Sequence, residues 1–305
     1  MSKGLAGSRP RKALRGRLPR GQAFWGLIFI TPAILVFAVF AVLPVAWGVA
    51  MSFTLYDIAS PPVFVGLDNY AFLLADPEFG HAAVNTAIYV LGTVPPHIVL
   101  GLALALLLNM KLRGLAFYRS SFYVPGVTSA VAASLMWLYI YNPQVGPANM
   151  VLKALGLPPQ NWLLDLNLAL PSIIVMSVWQ GIGSGMLIYL AGLQGIPSMF
   201  YEAAAIDGAN SWQRFRHITW PLLAPTSLFV LVTSCIGAFQ VFQQPYVMTR
   251  GGPLDATLTV VLNIYMNGFR WGKMGYASAM AVVLFAAILV ISIVNLKFFS
   301  KDVQY

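Results

Sequence analysis

Residues 25–52 read WGLIFITPAILVFAVFAVLPVAWGVAMS, a stretch of 28 residues without Asp, Glu, Lys or Arg. An α-helix rises about 1.5 Å per residue and needs roughly 20 apolar residues to cross the hydrocarbon core of a bilayer. The stretch follows a basic segment, as a signal peptide would, but it is too long and lacks a small-residue cleavage site. It therefore predicts a retained transmembrane helix.

The same uncharged, apolar pattern recurs along the whole chain. Hydrophobic residues make up 59% of the 305 positions and charged residues only 9%, whereas soluble domains have about 25% charged residues. The predicted spans are residues 25–52, 83–109, 120–141, 169–194, 221–242 and 276–296. The expected fold class is therefore an all-α integral membrane protein with six transmembrane helices. We expect kinks at internal prolines, with Pro95-Pro96 as the candidate position for a break.

The distribution of basic residues indicates the orientation. Fourteen of the eighteen Lys and Arg residues fall in residues 1–24, in 111–119, in the loop after the fourth span and at the C-terminal end. Cytoplasmic loops carry the excess of Lys and Arg, so both termini are predicted to be cytoplasmic. The expected domains are a basic tail at 1–24, a transmembrane domain at 25–299 and a short tail at 300–305. The net charge of +9 thus reflects topology rather than nucleic-acid binding, and the tail also suits contact with anionic lipid.

The loop between the fourth and fifth spans has more structure than a connector needs. Residues 196–220 read IPSMFYEAAAIDGANSWQRFRHITW. The composition predicts one short helix over 199–207, ended by Gly208 in a left-handed conformation. A second short helix follows, capped by Asn210 or Ser211.

The first of these short helices has the surface of a docking element. Ala203, Ala204 and Ala205 leave room for the backbone of another protein, while Glu202 and Asp207 supply charge. The alternative is an amphipathic connector lying on the membrane, which needs a clear apolar face and more Lys than this segment has.

At this loop the chain resembles the inner-membrane permeases of binding-protein-dependent ABC importers. Their hallmark is Glu-Ala-Ala, three residues, Gly, nine residues and then Ile-x-Leu-Pro. The residues that match are Glu202, Ala203, Ala204, Gly208, Ile218 and Pro221, with Trp220 in place of Leu. Tryptophan suits a membrane entry, so this departure leaves the match intact. The resemblance implies the type I ABC importer permease fold, with these residues and Asp207 in a loop whose coupling helix is seated in a cleft of the ATPase.

The resemblance also implies a division of labour between subunits. The expected partners are a second related permease chain, a dimer of ATPase subunits and an extracytoplasmic solute-binding protein. ATP and Mg would be bound by the ATPase, leaving this chain without a cofactor or catalytic residues. In agreement, the closest string to a phosphate loop, GFRWGKM at 268–274, lacks the GxxxxGK[ST] spacing. The single cysteine, Cys235, allows no intrachain disulfide or Cys-based metal cluster.

Three further segments are similar to the carbohydrate-type permeases of this family, the maltose and glycerol-3-phosphate kind. They are GLDNY at 66–70, Asn85-Thr86, and YVMTRGGP at 246–253. This similarity implies import of a sugar or sugar-like solute, with glycerol-3-phosphate or a glycerophosphodiester as the alternative substrate. The large extra outer domain of the maltose protein is absent.

Polar and small residues at helical spacing indicate where a solute would pass. In the fifth span, positions 233, 237, 240 and 244 share one face, with Ser234 beside them. The candidate pathway residues are Gln180, Gly181, Ser184, Ser234, Gln240 and Gln244, and in the family the corresponding stretches line the substrate site. The alternative is that these small and polar residues only mediate helix packing.

The ionisable residues also bear on two alternative classes of protein, a carrier driven by an ion gradient and a membrane-embedded enzyme. A carrier driven by an ion gradient usually keeps ionisable groups inside its spans, and the predicted spans contain no Asp, Glu, Lys or Arg. A membrane-embedded enzyme needs a cluster of catalytic groups, but the three histidines, His81, His97 and His217, stand apart in sequence. We interpret His97 as a packed or hydrogen-bonded core residue rather than a proton relay.

Overall fold

The computed structural model describes residues 20–110 and 113–299. Apart from residues 20–24, the two predicted tails lie outside this range. The chain forms two compact units, residues 1–47 and residues 48–305.

The described part of the first unit, from residue 20 onward, is helical. Helix α1 (Arg20–Phe37) passes through a π-helical turn, Ala38–Val42, into α2 (Leu43–Met51). No side chain of the π-helical turn or of α2 is buried. An exposed surface that is almost wholly apolar suits contact with lipid or another subunit rather than with water.

A short hairpin and helix, which the sequence did not predict, follow α2. Strands β1 (Thr54–Leu55) and β2 (Val63–Phe64) pair antiparallel, and α3 spans Asp68–Ala75. The side-chain amide of Asn69 is buried and donates hydrogen bonds to the backbone carbonyls of Ser52 and Thr54, both at 2.9 Å. Gly66 supplies a turn with φ of +61°, a conformation that favours glycine. The GLDNY segment therefore anchors this extramembrane connection.

The rest of the second unit is helical. Its helices are α4 (Pro77–Leu108), α5 (Leu115–Val127), α6 (Ala130–Ile140), α7 (Pro147–Ala154), α8 (Ala169–Gln194), α9 (Ser198–Ile206), α10 (Ser211–Arg214), α11 (Trp220–Leu222), α12 (Ala224–Phe239), α13 (Gln243–Met248), α14 (Val260–Tyr265) and α15 (Met274–Phe299). Further π-helical turns lie at Phe215–Thr219 and Met266–Arg270.

Helices α4 and α8 cross closely at the centre of the bundle. A Cβ atom added to Gly101 would lie 3.2 Å from the backbone carbon of Gly185, so glycine on both helices permits this approach. Helix α4 runs without interruption through Pro95-Pro96, and the candidate break at this position is therefore wrong. Internal prolines are tolerated in a membrane helix that packs against neighbouring helices, and α8 lies against His97 directly after this pair.

The third predicted span is a sharply bent pair of helices. Helices α5 and α6 meet at 97°. Five other segments of the described chain are long and apolar enough to cross a membrane: Leu27–Met51, Pro77–Leu108, Ala169–Gln194, Ala224–Met248 and Met274–Lys297. Six spans are obtained when the bent pair counts as one.

The core of the second unit contains two large clusters of buried residues, and both include residues of α4 and α8. One cluster contains Tyr89, Ile173 and Met176, with α12 contributing Cys235. Another contains Met186 and Tyr189 and extends towards the loop after α8. The free cysteine is buried in the first cluster, as expected for a small core residue.

Candidate substrate pathway and coupling loop

The loop after α8 folds into the two short helices that its sequence predicts. Helix α9 ends at Ile206, and Gly208 follows with φ of +76°, the left-handed conformation that closes a helix. Asn210 then caps α10, because its side chain accepts from the Gln213 backbone amide at 2.9 Å while the Gln213 side chain accepts from the Asn210 backbone amide at 2.8 Å. Helix α10 continues through a π-helical turn into α11.

One side-chain hydrogen bond joins the start of this loop to its end. The hydroxyl groups of Tyr201 in α9 and Thr219 lie 3.0 Å apart. Thr219 is buried, and Tyr201 packs against the cluster that contains Met186 and Tyr189. Helix α9 is therefore joined both to the end of the loop and to the core at the end of α8.

The outer face of the loop is exposed and mixed in character. Met199 and Trp212 are each 66% exposed and Ile206 is 87% exposed. Glu202, Ala203 and Gly208 are also exposed, and no ion-pair partner for Glu202 is found within residues 20–110 and 113–299. Asp207, Gly208 and Ile218 line a cavity of about 320 Å³ between the two short helices. Pro221 is the second residue of α11.

A second cavity, of about 210 Å³, lies where α4, α8 and α12 meet. It is lined by Tyr89, Thr93, Val94 and His97 from α4, by Ser177, Val178 and Gly181 from α8, and by Ser234, Gly237 and Ala238 from α12. Two of the six predicted pathway residues, Gly181 and Ser234, are therefore brought together here. The cavity combines hydroxyl groups, one imidazole and one aromatic ring without a charged carboxylate or amine.

The other four predicted pathway residues lie elsewhere. The Gln180 amide donates to the backbone carbonyl of Thr128 at 3.1 Å. The Ser184 hydroxyl is exposed and donates to the backbone carbonyl of Gly181 at 2.7 Å. Gln240 caps the C-terminal end of α12 and Gln244 lies in α13, and neither residue lines this cavity.

His97 connects the three helices around the cavity. Its Nδ1 atom lies 2.9 Å from the Ser234 hydroxyl oxygen. On the other side, a Cβ atom added to Gly185 would lie 2.7 Å from Nε2, so the glycine makes room for the ring. The ring is thus packed and hydrogen-bonded, as interpreted from the sequence. The reasoning from sequence missed Tyr89, Thr93 and His97 as lining residues, although their spacing of four places them on one face of α4.

A larger cavity, of about 440 Å³, lies at the end of the bundle formed by α6 and α13. Its walls include Tyr141, Thr249 and Arg250. The adjacent loop is held by Asn85, whose side-chain amide donates to the backbone carbonyls of Asp255 at 2.8 Å and Leu258 at 3.0 Å. Asn85 therefore holds the loop that directly follows the YVMTRGGP segment.

Comparisons with known proteins agree on one family. The family model described as binding-protein-dependent transport system inner membrane component matches residues 70–304. The chain is 39% identical to the probable ABC transporter permease protein YesP of Bacillus subtilis, over 95% of each chain. It is 36% identical to the arabinooligosaccharides transport system permease protein AraP of the same organism, over 88% of this chain and 87% of AraP. A chain in the crystal structure of a bacterial ABC transporter involved in the import of the acidic polysaccharide alginate superposes with a TM-score of 0.82 at 22% identity, covering 93% of this chain and 98% of that chain.

Proposed function

Since the chain belongs to the family of binding-protein-dependent transport system inner membrane components, we propose that its solute is a sugar or sugar-like molecule and that the loop at 196–220 couples its transport to ATP hydrolysis. The chain is a permease subunit of an ABC transporter and a multi-pass protein of the inner membrane. As a transmembrane component it is not an enzyme. It works in a system that depends on a solute-binding protein.

One observation carries the assignment to sugars, namely the uncharged polar cavity between α4, α8 and α12. Hydroxyl groups of Thr93, Ser177 and Ser234 face it beside the ring of Tyr89. Sugar sites generally combine a few hydrogen-bonding groups with an aromatic or apolar wall. The predicted spans lack Lys and Arg, which a phosphorylated solute such as glycerol-3-phosphate would favour. The name of the relative AraP, an arabinooligosaccharide permease, supports the same class.

The loop supplies the mechanical connection in this proposal. Helix α9 would sit in a cleft of an ATPase subunit, with Ile206 and Met199 in apolar contact and Glu202 at the rim. The importer would contain a second related permease, two ATPase subunits that bind ATP and Mg, and an extracytoplasmic binding protein. Both termini would then be cytoplasmic, on the side of the loop. Closure of the ATPase dimer would open the pathway outward, and hydrolysis would reset it.

The first test of this proposal is the composition of the complex. A tag on this chain, followed by purification in mild detergent, is expected to recover an ATPase and a second permease with ATPase activity. Recovery of this chain alone, still active in transport, would contradict coupling and favour a carrier driven by an ion gradient.

The second test is uptake by the assembled importer in cells that do not otherwise take up the probes. Labelled maltose, trehalose, arabinotriose and sn-glycerol-3-phosphate form the panel. We expect ATP-dependent uptake of at least one sugar. Uptake of none of the sugars, or of glycerol-3-phosphate alone, would refute the proposed substrate class.

A further inference from the structure

We propose that the cavity of about 440 Å³ between α6 and α13 binds a phospholipid, with Arg250 and Asn142 on its phosphate and the apolar wall of the cavity against its acyl chains. This lipid site is separate from the solute cavity between α4, α8 and α12. The inference goes beyond the proposed function and does not rest on it, because the same lipid could bind whichever solute the importer carries.

The cavity lies at the end of the bundle opposite the loop at 196–220. Helix α8 begins at Ala169, shortly after the wall residues Leu163 and Leu164, and it ends just before that loop. The remaining walls come from the end of α6 and from residues 247–253. Because the third and fifth predicted spans end at residues 141 and 242, this cavity is expected at the depth of the lipid headgroups.

The cation at this cavity has no partner within the protein. Arg250 is exposed, and its side chain makes no ion pair or hydrogen bond in the part of the chain that the structure describes. None of the lining residues is Asp or Glu. Asp165 follows Leu164 on the opposite wall, but its Oδ1 accepts from the backbone amides of Asn167 at 2.8 Å and Leu168 at 3.1 Å. The guanidinium group of Arg250 is therefore available to an anion such as phosphate.

Asn142 supplies a second free donor. Its side-chain oxygen accepts from the backbone amides of Gln144 at 3.0 Å and Val145 at 3.1 Å. These two bonds identify the oxygen, and the amide nitrogen has no hydrogen bond among the described residues. The hydroxyl groups of Tyr141 and Thr249 are already used, since they donate to backbone carbonyls at 3.0 Å and 2.9 Å. The cavity thus combines two free donors with no carboxylate, which suits the oxygens of a phosphate.

The backbone holds Arg250 in an uncommon conformation. Its φ of +53° lies in the left-handed region that favours glycine. The turn is fixed by backbone hydrogen bonds from Gly252 to Thr249 and from Thr257 to Gly251, both at 3.0 Å, and the Thr257 hydroxyl donates to the Gly252 carbonyl at 2.9 Å. Residues with a side chain keep this conformation where the surrounding structure imposes it, and such positions are common at ligand sites.

Most of the remaining cavity wall is apolar. It is formed by Leu138, Leu163, Leu164, Val247, Met248 and Pro253. Leu164 is 69% exposed, so the apolar wall reaches the surface of the protein. A small hydrated anion gains nothing from apolar surface, whereas the acyl chains of a phospholipid do. Two donors beside an apolar wall therefore match an amphipathic ligand.

The loop beside the cavity, residues 142–164, has the surface of a segment that lies on a membrane. Its large apolar side chains are more than half exposed, namely those of Val145, Met150, Val151, Leu155, Leu157 and Leu164. The loop is nevertheless fixed, because the buried Asn149 in α7 donates to two backbone carbonyls at 3.0 Å and 2.9 Å. An apolar surface on a short helix outside the spans is typical of contact with the membrane interface. Lys153 in the last turn of α7 adds attraction for anionic lipid.

An acidic side chain of a docked protein is the alternative ligand for Arg250. It would account for the unpaired guanidinium group, but it would leave the exposed apolar side chains of residues 142–164 unexplained. A phospholipid accounts for both features, since its headgroup meets the cation while its neighbours in the bilayer cover the loop. The combination of charge and apolar surface therefore favours the lipid.

The test measures lipid binding to the purified protein. The tagged full-length chain, with the subunits that accompany it, is purified in mild detergent and titrated with phosphatidylglycerol or with phosphatidylcholine. Native mass spectrometry gives the occupancy of the first bound lipid and hence an apparent Kd for each. Wild type should bind phosphatidylglycerol more tightly, because only this lipid brings a net negative charge to Arg250.

Three substitutions of arginine test the charge. Arg250→Gln keeps a long polar side chain without the charge and should weaken binding of phosphatidylglycerol about fivefold, the effect of one basic residue at an anionic membrane surface. Arg250→Lys keeps the charge and should retain most of the preference for phosphatidylglycerol. Arg270→Gln is the matched control, because Arg270 is exposed in the connection between α14 and α15 and does not line the cavity. It should leave both Kd values unchanged.

Leu164→Ser tests the apolar wall. It should weaken the binding of both lipids to a similar extent and preserve the preference between them, since it removes apolar contact without changing charge. Leu254→Ser is the control, because Leu254 is 87% exposed in the loop after Arg250 but does not line the cavity. Equal effects of the two substitutions would show that the apolar wall does not hold a lipid.

Soluble anions distinguish a lipid site from a site for phosphate alone. Inorganic phosphate and sn-glycerol-3-phosphate are each added to protein loaded with phosphatidylglycerol. Neither should displace the lipid, because neither supplies acyl chains for the apolar wall. Displacement by inorganic phosphate would assign the cavity to the free anion, and displacement by sn-glycerol-3-phosphate alone would assign it to a soluble solute. Either result overturns the inference.

The remaining outcomes also decide the matter. Equal affinity of wild type and Arg250→Gln for phosphatidylglycerol, or an equal loss in Arg250→Gln and Arg270→Gln, contradicts the lipid site. Unchanged lipid binding together with weaker association of the purified solute-binding protein assigns Arg250 to a protein contact instead. The comparison of two lipids on one variant does not depend on the amount of folded protein. Failure of sugar uptake refutes the proposed function and leaves the lipid site standing.

Discussion

The side-chain amide of Gln180 donates a hydrogen bond of 3.1 Å to the backbone carbonyl of Thr128. Thr128 lies in the break between α5 and α6, where its extended backbone, with ψ of 137°, continues neither helix. Carbonyl groups at the end of a helix lack an intrahelical donor and need another partner. Gln180, which the sequence assigned to the pathway, therefore stabilises the bend of the neighbouring span.

Replacing Gln180 by Leu should destabilise the bend, because Leu cannot donate to the Thr128 carbonyl. Loss of one hydrogen bond costs about 1 kcal/mol, which lowers the midpoint of thermal unfolding by about 2–4 °C in a chain of this size. Fluorescence-detected unfolding of the purified complex measures this shift. Gln194→Leu, at an exposed position at the end of the same helix, is the matched control, and an equal shift in both variants would contradict the role of Gln180.

The loop is determined by residues close together in sequence, whereas the bend involves residues that are far apart in sequence. Gly208 and Asn210 are local signals, so the two short helices of the loop could be predicted from 20 or so neighbouring residues. The break at Thr128 has a contact with Gln180, which is 52 residues away in sequence, and hydropathy alone does not give the angle between two helices. The six apolar segments were therefore predictable, whereas the angle of 97° between α5 and α6 was not.

The bond between Tyr201 and Thr219 should contribute to coupling between α9 and the end of the loop, which leads into α12. Tyr201→Phe and Thr219→Val each remove the hydrogen bond, and each should weaken the link by about 1 kcal/mol. We expect both to reduce sugar-stimulated ATPase activity relative to basal activity in the reconstituted importer. The double variant should be no worse than either single variant, because both remove the same bond.

Tyr139→Phe provides the control for this pair, since Tyr139 is 60% exposed and lies in α6. It should retain the wild-type ratio of stimulated to basal activity. Fully additive losses in the Tyr201 and Thr219 double variant would show that the two residues act independently.

Gly208 is the position where the loop is most sensitive to backbone strain. A residue with a Cβ atom in the left-handed conformation costs about 1–2 kcal/mol, and Gly208 has φ of +76°. Gly208→Asp adds this strain and a carboxylate beside Asp207, so uptake should fall while the protein still inserts into the membrane. Transport assays normalised to the amount of membrane-inserted protein measure the effect.

Asparagine offers a graded comparison at the same position, because it tolerates the left-handed conformation better than most residues. Gly208→Asn should retain more uptake than Gly208→Asp. Normal uptake in Gly208→Asp would remove the support for this loop as the coupling element.

The pathway residues were harder to predict than the loop, because the sequence does not show where α12 ends. Spacing along the fifth span placed Gln240 and Gln244 on one face with positions 233 and 237, beside Ser234. Helix α12 ends at Phe239 and Gln244 belongs to α13, so the helical spacing does not extend to Gln244. On α4 the same reasoning would have succeeded, since Thr93 and His97 are one turn apart within a continuous helix. Hydropathy identifies an apolar segment, but it does not locate the residue at which the helix within that segment ends.

The fit of His97 between glycines of α8 can be tested without a ligand. Gly185→Ala introduces a Cβ atom 2.7 Å from Nε2 and 3.0 Å from Cδ2 of His97, whereas Gly181→Ala introduces one no closer than 3.7 Å to the ring. Overpacking of this kind costs about 1–3 kcal/mol, so Gly185→Ala should lower the unfolding midpoint and Gly181→Ala should not. Because His97 causes the clash, combining Gly185→Ala with His97→Ser should recover stability relative to Gly185→Ala alone. If the double variant is less stable than either single variant, the ring does not occupy the space that Gly185 leaves, and the close crossing of α4 and α8 must have another cause.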